Sequence, residues 1–382
     1  MRKDLLIFGA PQIHDDEINE VAEVVRSGWL GTGPKVHQFE ADFARYTGAP
    51  YAAAVNSCTA ALHLALIAAG VGPGDEVVTT PMTFCASVNS IIHTGATPVL
   101  ADIDRDTLNI DPDAVKAAIT PRTRAILPVH FAGRLCDMTA LMALADAHDL
   151  KVIEDCAHAI ETTVDGVHAG TIGDFGCFSF YVTKNVITGE GGMVTARNEE
   201  HHERIKRLAL HGMSRDAWKR FGSSGYSHYQ VVECGFKYNM MDLQAAIGLH
   251  QLRRVEDNWR RREQIWHQYL DAFANLPVGL PLSVPDGQQH AYHLFSLQID
   301  KARCGVERDE FLTQMKARNI GVGVHYQSIP EHPVYQERFG WRPEDFPNAY
   351  AVGRGTVSLP LSPALTESDV DDVIAAVKSI VA

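Results

Sequence analysis

The sequence predicts an α/β protein, with a large domain on a mostly parallel sheet covered on both faces and a smaller α+β domain after it. Three observations carry this. From about Phe39 to Ala196, short apolar runs alternate with helix-like stretches, the pattern of repeated strand–helix–strand units. Beyond Ala196 the texture changes to amphipathic and long helical stretches. The chain has 382 residues, enough for a large core and two structural parts. The division is expected at residues 1–250 for the large domain, N-terminal segment included, and 251–382 for the small one.

The elements follow in order. AAAV (52–55) leads into SCTAALHLALIAAG, a helix of small and apolar residues that fits against a sheet. EVVTTP (76–81), TPVLADI (97–103), RAILPVH (124–130) and LKVIED (150–155) are strands rich in Val and Ile. Helices lie between them, at DAVKAAI (113–119) and MTALMALADAHD (138–149). NEEHHERIKRLALHG (198–212) is an amphipathic helix, and MSRDAWKRFGSSGYSHYQVV (213–232) is a loop or an irregular hairpin. Residues 240–276 are long helix material with a basic outer face. HLFSLQI (293–299) is strand-like, and RDEFLTQMKARN (308–319) and ESDVDDVIAAVKSIV (367–381) are helices. No internal repeat or low-complexity tract is visible.

Composition narrows the function. A net charge of −13 argues against general nucleic-acid binding, which needs a basic face, but leaves room for an anionic small ligand at a local positive site. The seven cysteines form no C-x-x-C pair, which fits reduced thiols rather than a disulfide framework or a zinc site. The start turns acidic before any long apolar core, a poor signal peptide. No apolar run approaches the roughly 20 residues that cross a bilayer. A cytoplasmic protein is expected.

In open α/β sheets, ligands bind beyond the carboxyl ends of the strands, so polar groups just after apolar runs are the candidates. LKVIEDCAHA (150–159) ends a strand on Glu154 and Asp155. Strand alternation turns these to opposite faces, so only one looks into a site. A helix N-cap is the plainer use of Asp155; a carboxylate that keeps the proton on a pyridine nitrogen is the other. Ser57, Cys58 and Thr59 open a helix directly after a strand, where free amides and hydroxyls suit a phosphate, although such residues cap helices everywhere. Phe84, just past EVVTTP, is a core residue or a stacking platform for a planar ligand. In FSFYVTKNVITGEGGMV (178–194), Ser179 points away from Phe178 and Phe180, and Lys184 precedes a glycine cluster that permits a close backbone approach. Lys184 by itself reads as an ordinary solvated cation. Together, a lysine for an imine, a carboxylate for a ring nitrogen, amides and hydroxyls for a phosphate and a flat apolar wall describe a site for pyridoxal 5′-phosphate (PLP).

NSCTAALHLAL, PMTFCAS, VIEDCAHA, FSFYVTKN-x3-GEGGM and GFKYNMMDLQAAIGL, in this order, resemble the DegT/DnrJ/EryC1/StrS sugar aminotransferases, which are fold-type I PLP enzymes acting on nucleotide-linked ketosugars. The similarity runs from SGWLGTGPKV (27–36) to VSLPLSP (357–363). It implies that Lys184 forms the internal aldimine, Asp155 holds the pyridine nitrogen and His158 lies near the ring hydroxyl. It further implies that Ser179 and the Cys58 and Thr59 amides bind the phosphate, and that Phe84 stacks on the ring. Asn239 would reach the phosphate of the neighbouring subunit, making an obligate homodimer with a shared site. Position 58 is usually a small residue, often Gly, where this chain has Cys. The resemblance also implies that L-glutamate gives its amino group and leaves as 2-oxoglutarate, with the cofactor passing through its pyridoxamine form (PMP) and Lys184 moving the protons. The expected acceptor is the C4 ketone of a UDP-sugar, as in the UDP-4-amino-4-deoxy-L-arabinose branch, with Trp29, Lys35, His211, Arg215 and His325 on the substrate side. A dTDP- or GDP-ketosugar, or amination at C3, is the alternative. A PLP sugar dehydratase of the same fold would carry histidine in place of Lys184, and a silent regulatory homologue would have no use for Lys184, Asp155 and Ser179 together.

Other signals lead nowhere. GTGPK (31–35) lacks P-loop spacing. His201 and His202 sit among glutamates and are expected on a solvated face. His290 and His293 are too isolated for zinc, although they could border the sugar pocket, and RRVEDNWRRREQ (253–264) is expected to be solvated or at the dimer surface. No metal site is expected.

Overall fold

A computed structural model describes residues 2–214 and 229–381. The large sheet has seven strands: β1 (Tyr51–Val55), β2 (Glu76–Thr79), β3 (Thr97–Leu100), β4 (Thr123–Leu127), β5 (Lys151–Asp155), β8 (Phe175–Ser179) and β9 (Gly192–Ala196). A small sheet joins β6 (Thr163–Val164), β7 (Val167–His168) and β10 (Gln288–Gln289). In the large sheet the order is β1-β9-β8-β5-β4-β2-β3. All neighbours run parallel except β9, which is antiparallel to both β1 and β8.

Successive residues of the central strands enter two different cores. Val78, Ile126, Val152 and Phe178 face one, and Val77, Leu127, Ile153 and Cys177 face the other. This is the period of two expected of strands buried on both sides. One face is covered by α3 (Cys58–Ala68) and α7 (Glu199–Ala209), with α4 (Cys85–His93) beside α3. α3 is apolar all round, as a helix packed on every side must be. The other face is covered by α2 (Pro34–Thr47), α5 (Pro112–Ala118), α6 (Met138–His148) and α8 (Asp242–Arg253). From α2, Phe43 meets Phe178 at 4.9 Å and Phe39 meets Phe180 at 5.2 Å between ring centroids. These rings clamp the strand that leads to Lys184. α1 (Asp15–Ser27) packs on α8.

The long helical stretch is two helices, α8 and α9 (Val255–Phe273), broken at Arg254. Arg254 turns back to pair with Glu17 and to donate to the Gln12 carbonyl at 2.9 Å. α9 joins the cores: Val255 lies in the first sheet core, while Ile265, Trp266, Tyr269 and Phe273 belong to a third. That third core also holds β11 (Phe295–Gln298), β12 (Thr356–Leu359), the helices Arg308–Ala317 and Glu367–Val381, and Leu6 from the start of the chain. Leu6 pairs in parallel with Ile320.

Two surface expectations are corrected. Arg262 of the basic stretch is only 4% exposed, because its face of α9 packs on the buried Glu161. Arg260 and Arg261 do lie on the outside, pairing with Asp257 and Glu367. His201 and His202 are not simply solvated: their rings lie on Phe175 at 4.8 Å and Tyr51 at 5.3 Å. Among the described residues no helix is long and apolar enough to cross a membrane.

Candidate active site

The carboxyl end of β5 sorts its two acids. Glu154 is fully buried on the far side, accepting from the amides of Gly170 (2.8 Å), Ile172 (2.9 Å) and Gly173 (2.6 Å). His130 Nε2 sits 2.9 Å from the same carboxylate. His130, Glu154 and Cys156 come close enough to suggest a metal, but these donors already fill the carboxylate's acceptor positions, so the group is a structural knot. Asp155 faces a pocket of about 630 Å³. No helix starts after it, since turns follow β5, which removes the N-cap reading. Its Oδ2 accepts from Ser87 Oγ at 2.8 Å and its Oδ1 from the Ala157 amide at 3.1 Å. The residue is 4% exposed, and burial raises its pKa against the opposing pull of Ser87, the Ala157 amide and Lys184. A buried carboxylate of this kind is stabilised by any cation placed beside it.

The pocket floor is the start of α3. Ser57 is the N-cap, its hydroxyl accepting from the Ala60 amide at 3.1 Å. The Cys58 and Thr59 amides, in the first turn, have no partner four residues back and, among the described residues, are open to an anion. The Cys58 thiol instead reaches toward the Cys177 carbonyl at 3.6 Å, and burial pushes its pKa well up. So the cysteine at position 58 stays a neutral thiol. Gly192 lies directly against this turn: a Cβ there would come within 2.6 Å of the Ser57 carbonyl and 2.8 Å of the Cys58 nitrogen.

Lys184 follows β8 in a turn, its amide donating to the Tyr181 carbonyl at 2.9 Å. It lines the same pocket as Asp155, Ser179, Phe84, Thr59, His158, His325 and Tyr326. Burial lowers the Lys184 pKa to about 8, against the opposing effects of Cys58 and Asp155. The amine should therefore titrate far below an ordinary lysine. Reductive methylation of Lys184 with formaldehyde in the cofactor-free chain, followed by mass spectrometry, is expected to show a midpoint near pH 8. A midpoint near the ordinary 10.5 would contradict it.

His158 is buried, and its Nδ1 accepts from the Ala132 amide at 3.2 Å. The proton of the neutral ring therefore sits on Nε2, 3.0 Å from Tyr326 Oη. Burial, with Lys184, His293 and His325 nearby, pushes the His158 pKa well down, so the ring stays neutral. Burial raises the Tyr326 pKa, which leaves its hydroxyl protonated and free to donate into the pocket. His325 Nδ1 is 2.9 Å from Ser358 Oγ, its ring stacks on Phe8 at 5.5 Å, and burial lowers its pKa to about 4. Phe84 is 59% exposed, a ring at the pocket mouth rather than a core residue.

The other expected substrate-side residues are not in this pocket. Trp29 is 47% exposed, its Nε1 donating to the Thr32 carbonyl at 3.1 Å. Lys35 pairs with Glu20. Asn239 joins them at the start of α8: its Nδ2 donates to Thr32 Oγ1 at 2.7 Å, and its buried Oδ1 has no partner among the described residues. His211 is exposed in a left-handed turn (φ 58°) that pairs with Phe236. Arg215 lies outside the described residues. Ser87 and Tyr326 were not singled out from the sequence. Ser87 stands one helical turn after Phe84, a spacing that could have flagged it, and Tyr326 adjoins His325.

The residues present fit PLP. The pocket offers an amine, a buried carboxylate, a helix N-terminus with a glycine pressed against it, and an aromatic wall, within a volume ordinary for a cofactor site.

Known proteins agree. Residues 11–378 match the DegT/DnrJ/EryC1/StrS aminotransferase family. The chain is 53% identical over 381 residues to the spore coat polysaccharide biosynthesis protein SpsC of Bacillus subtilis, covering 100% of this chain and 98% of that one. A Streptococcus pneumoniae protein solved in its PMP form under the name of a sugar aminotransferase superposes with a TM-score of 0.92 at 34% identity, covering 98% of each chain. Helicobacter pylori PseC, an aminotransferase involved in the biosynthesis of pseudoaminic acid, gives 0.90 at 26% identity over 99% of each. The chain belongs to the DegT/DnrJ/EryC1/StrS aminotransferase family, whose members are PLP-dependent enzymes of fold-type I.

Proposed function

We propose that this aminotransferase moves the amino group of L-glutamate to the C4 ketone of a UDP-linked ketosugar, for polysaccharide or lipid amino-sugar synthesis in the cytoplasm. The observation that carries the reading is a single pocket in which Lys184 and the buried Asp155 meet the N-terminus of α3. The name of SpsC supports a polysaccharide role, and that of PseC an amino-sugar product.

When bound, PLP supplies an electron sink next to the amine-bearing carbon. The chain's own residues do the rest. Asp155 keeps a proton on the ring nitrogen by a charge-assisted hydrogen bond, while Ser87 holds that carboxylate in place. The α3 amides and Ser179 hold the phosphate. Phe84 would offer the ring an aromatic wall, and the neutral His158, tied to Tyr326, would place no cation beside it. Lys184 Nζ would be the amine that holds the cofactor and, when free, the base that takes and returns the substrate proton. A pKa near 8 suits it, because an amine that is partly neutral at working pH can accept a proton.

A second copy of the chain would complete the site. Asn239, with Trp29 and Lys35 beside it, would approach the partner's phosphate and sugar, giving the unpartnered Oδ1 of Asn239 a role. His325 would be the substrate-side residue each chain brings to its own pocket. The test is a panel of UDP-, dTDP- and GDP-linked 4-ketosugars with glutamate, read by the mass of the sugar product. Amine formation on the UDP-sugar is expected. Amine on a dTDP- or GDP-sugar alone would overturn the nucleotide, and no amine on any would overturn the proposed acceptor.

A further inference from the structure

Behind Lys184 lies a buried polar network whose own members do not line the cofactor pocket. Asn185, the next residue, is buried, and its side-chain amide is fully used. Its Nδ2 donates to Glu161 Oε2 at 2.8 Å and to the Ala291 carbonyl at 2.9 Å. Its Oδ1 accepts from His293 Nδ1 at 2.9 Å, and its backbone carbonyl accepts from Arg262 Nη2 at 3.3 Å. Glu161 is fully buried, and Arg262 pairs with it at 3.4 Å. Since Asn185 Nδ2 must face the carboxylate, Oδ1 must face His293, which fixes the proton of that neutral ring on Nδ1. Burial, with Lys184 close by, keeps the His293 pKa well down. The His293 ring lies against His158 at 4.5 Å, tilted by 34°, and the His293 amide donates to the Ala132 carbonyl at 3.2 Å, the residue whose own amide holds His158.

We infer that Asn185 is a positioning residue. One amide fixes the peptide that follows Lys184 and, through His293, the ring that backs His158, so that two groups facing the pocket share one anchor. A buried Arg–Glu pair is a poor way to gain stability, because apolar residues of similar volume commonly do as well or better. What such a network can supply is geometry: its contacts come from residues 161, 262, 291 and 293, in separate parts of the chain, and converge on the residue beside the nucleophile. Displacing a reacting group by about 1 Å can cost about 100-fold in rate.

The inference rests on the role proposed for Lys184, so its test includes a readout that does not need that role. Asn185→Ala is expected to lower kcat about 100-fold with little change in KM, and to move the methylation midpoint of Lys184 in the cofactor-free chain by about half a pH unit or more. His293→Asn places an amide nitrogen where Nδ1 stands, and His293→Phe keeps the ring but loses the donor. His293→Asn should retain at least about tenfold more kcat than His293→Phe if the hydrogen bond to Asn185 is what matters. If Asn185→Ala does not fold, the two His293 variants decide the question. A folded Asn185→Ala with wild-type kcat and an unmoved midpoint would overturn the inference, as would a His293→Phe as active as His293→Asn. A moved midpoint with no change in kcat would uphold the anchoring of Lys184 and overturn its proposed role in turnover.

Discussion

Lys184→Ala is expected to lower turnover by about 10⁴-fold or more while the chain stays folded. No other lysine lines the pocket among the described residues, so no second amine can take the cofactor's aldehyde. Burial lowers the pKa of both His158 and His325, which makes them weak bases, and His158 Nε2 is tied to Tyr326, so neither matches the lysine as base. Loss of folding would not explain the effect. The folded pKa of Lys184 is depressed, to about 8 from 10.5. For such a group the stabilising contribution is present above the unfolded pKa and is lost as pH falls through the folded one. At pH 7 the charged amine therefore opposes folding, and its removal should leave the melting temperature of the cofactor-free chain no lower. Measuring kcat and thermal unfolding on the same preparation separates the two explanations. A variant that keeps full transaminase activity would sink the assignment.

Asp155→Asn should cost about 10²- to 10³-fold in kcat, the size of effect seen when one preorganised electrostatic group is removed from an active site. The substitution keeps the shape, and the amide oxygen can still accept from the Ala157 amide. What is lost is the negative charge proposed to hold a proton on the ring nitrogen. Stability should move the opposite way. Burial raises the Asp155 pKa above its ordinary value, so the folded chain favours the protonated form. The stability linked to this group is full below the unfolded pKa of about 3.8 and declines as pH rises through the folded one. Near neutral pH the cofactor-free Asp155→Asn chain should therefore melt higher than wild type, with the gap closing toward pH 4. With PLP bound the advantage should shrink or reverse, because the wild-type carboxylate then has its cation. Equal kcat in the two proteins would contradict the role.

Much of the fold was legible because short-range periodicity encodes it. Glu154 and Asp155 are neighbours in sequence, and a period of two alone places one in a structural knot and the other in the pocket. Long-range pairing is not encoded that way. Nothing in the composition of β9 states that it runs against both neighbours, and nothing near Leu6 states that it packs with Ile320. Arg262 looks like one more cation on a basic helix. Its burial depends on Glu161, about a hundred residues earlier, which no local pattern reveals. The pocket was legible where residues followed strand ends, as with Thr59, Phe84, Asp155 and Ser179. Ser87 and Tyr326 meet the pocket groups through Asp155 and His158, long-range contacts that sequence does not state, although Ser87 falls one helical turn after Phe84. Trp29, Lys35 and Asn239 do not line the pocket of Lys184 within one chain, which sequence order cannot disclose.

The proposed chemistry requires the cofactor to be joined to Lys184. Reducing the PLP-loaded protein with borohydride, digesting it and mapping the modified peptide by mass spectrometry tests this directly. A phosphopyridoxyl group is expected on Lys184, and it should be lost when glutamate converts the cofactor to the amine form before reduction. A label on any other lysine, or no label on a protein that holds PLP, would contradict it.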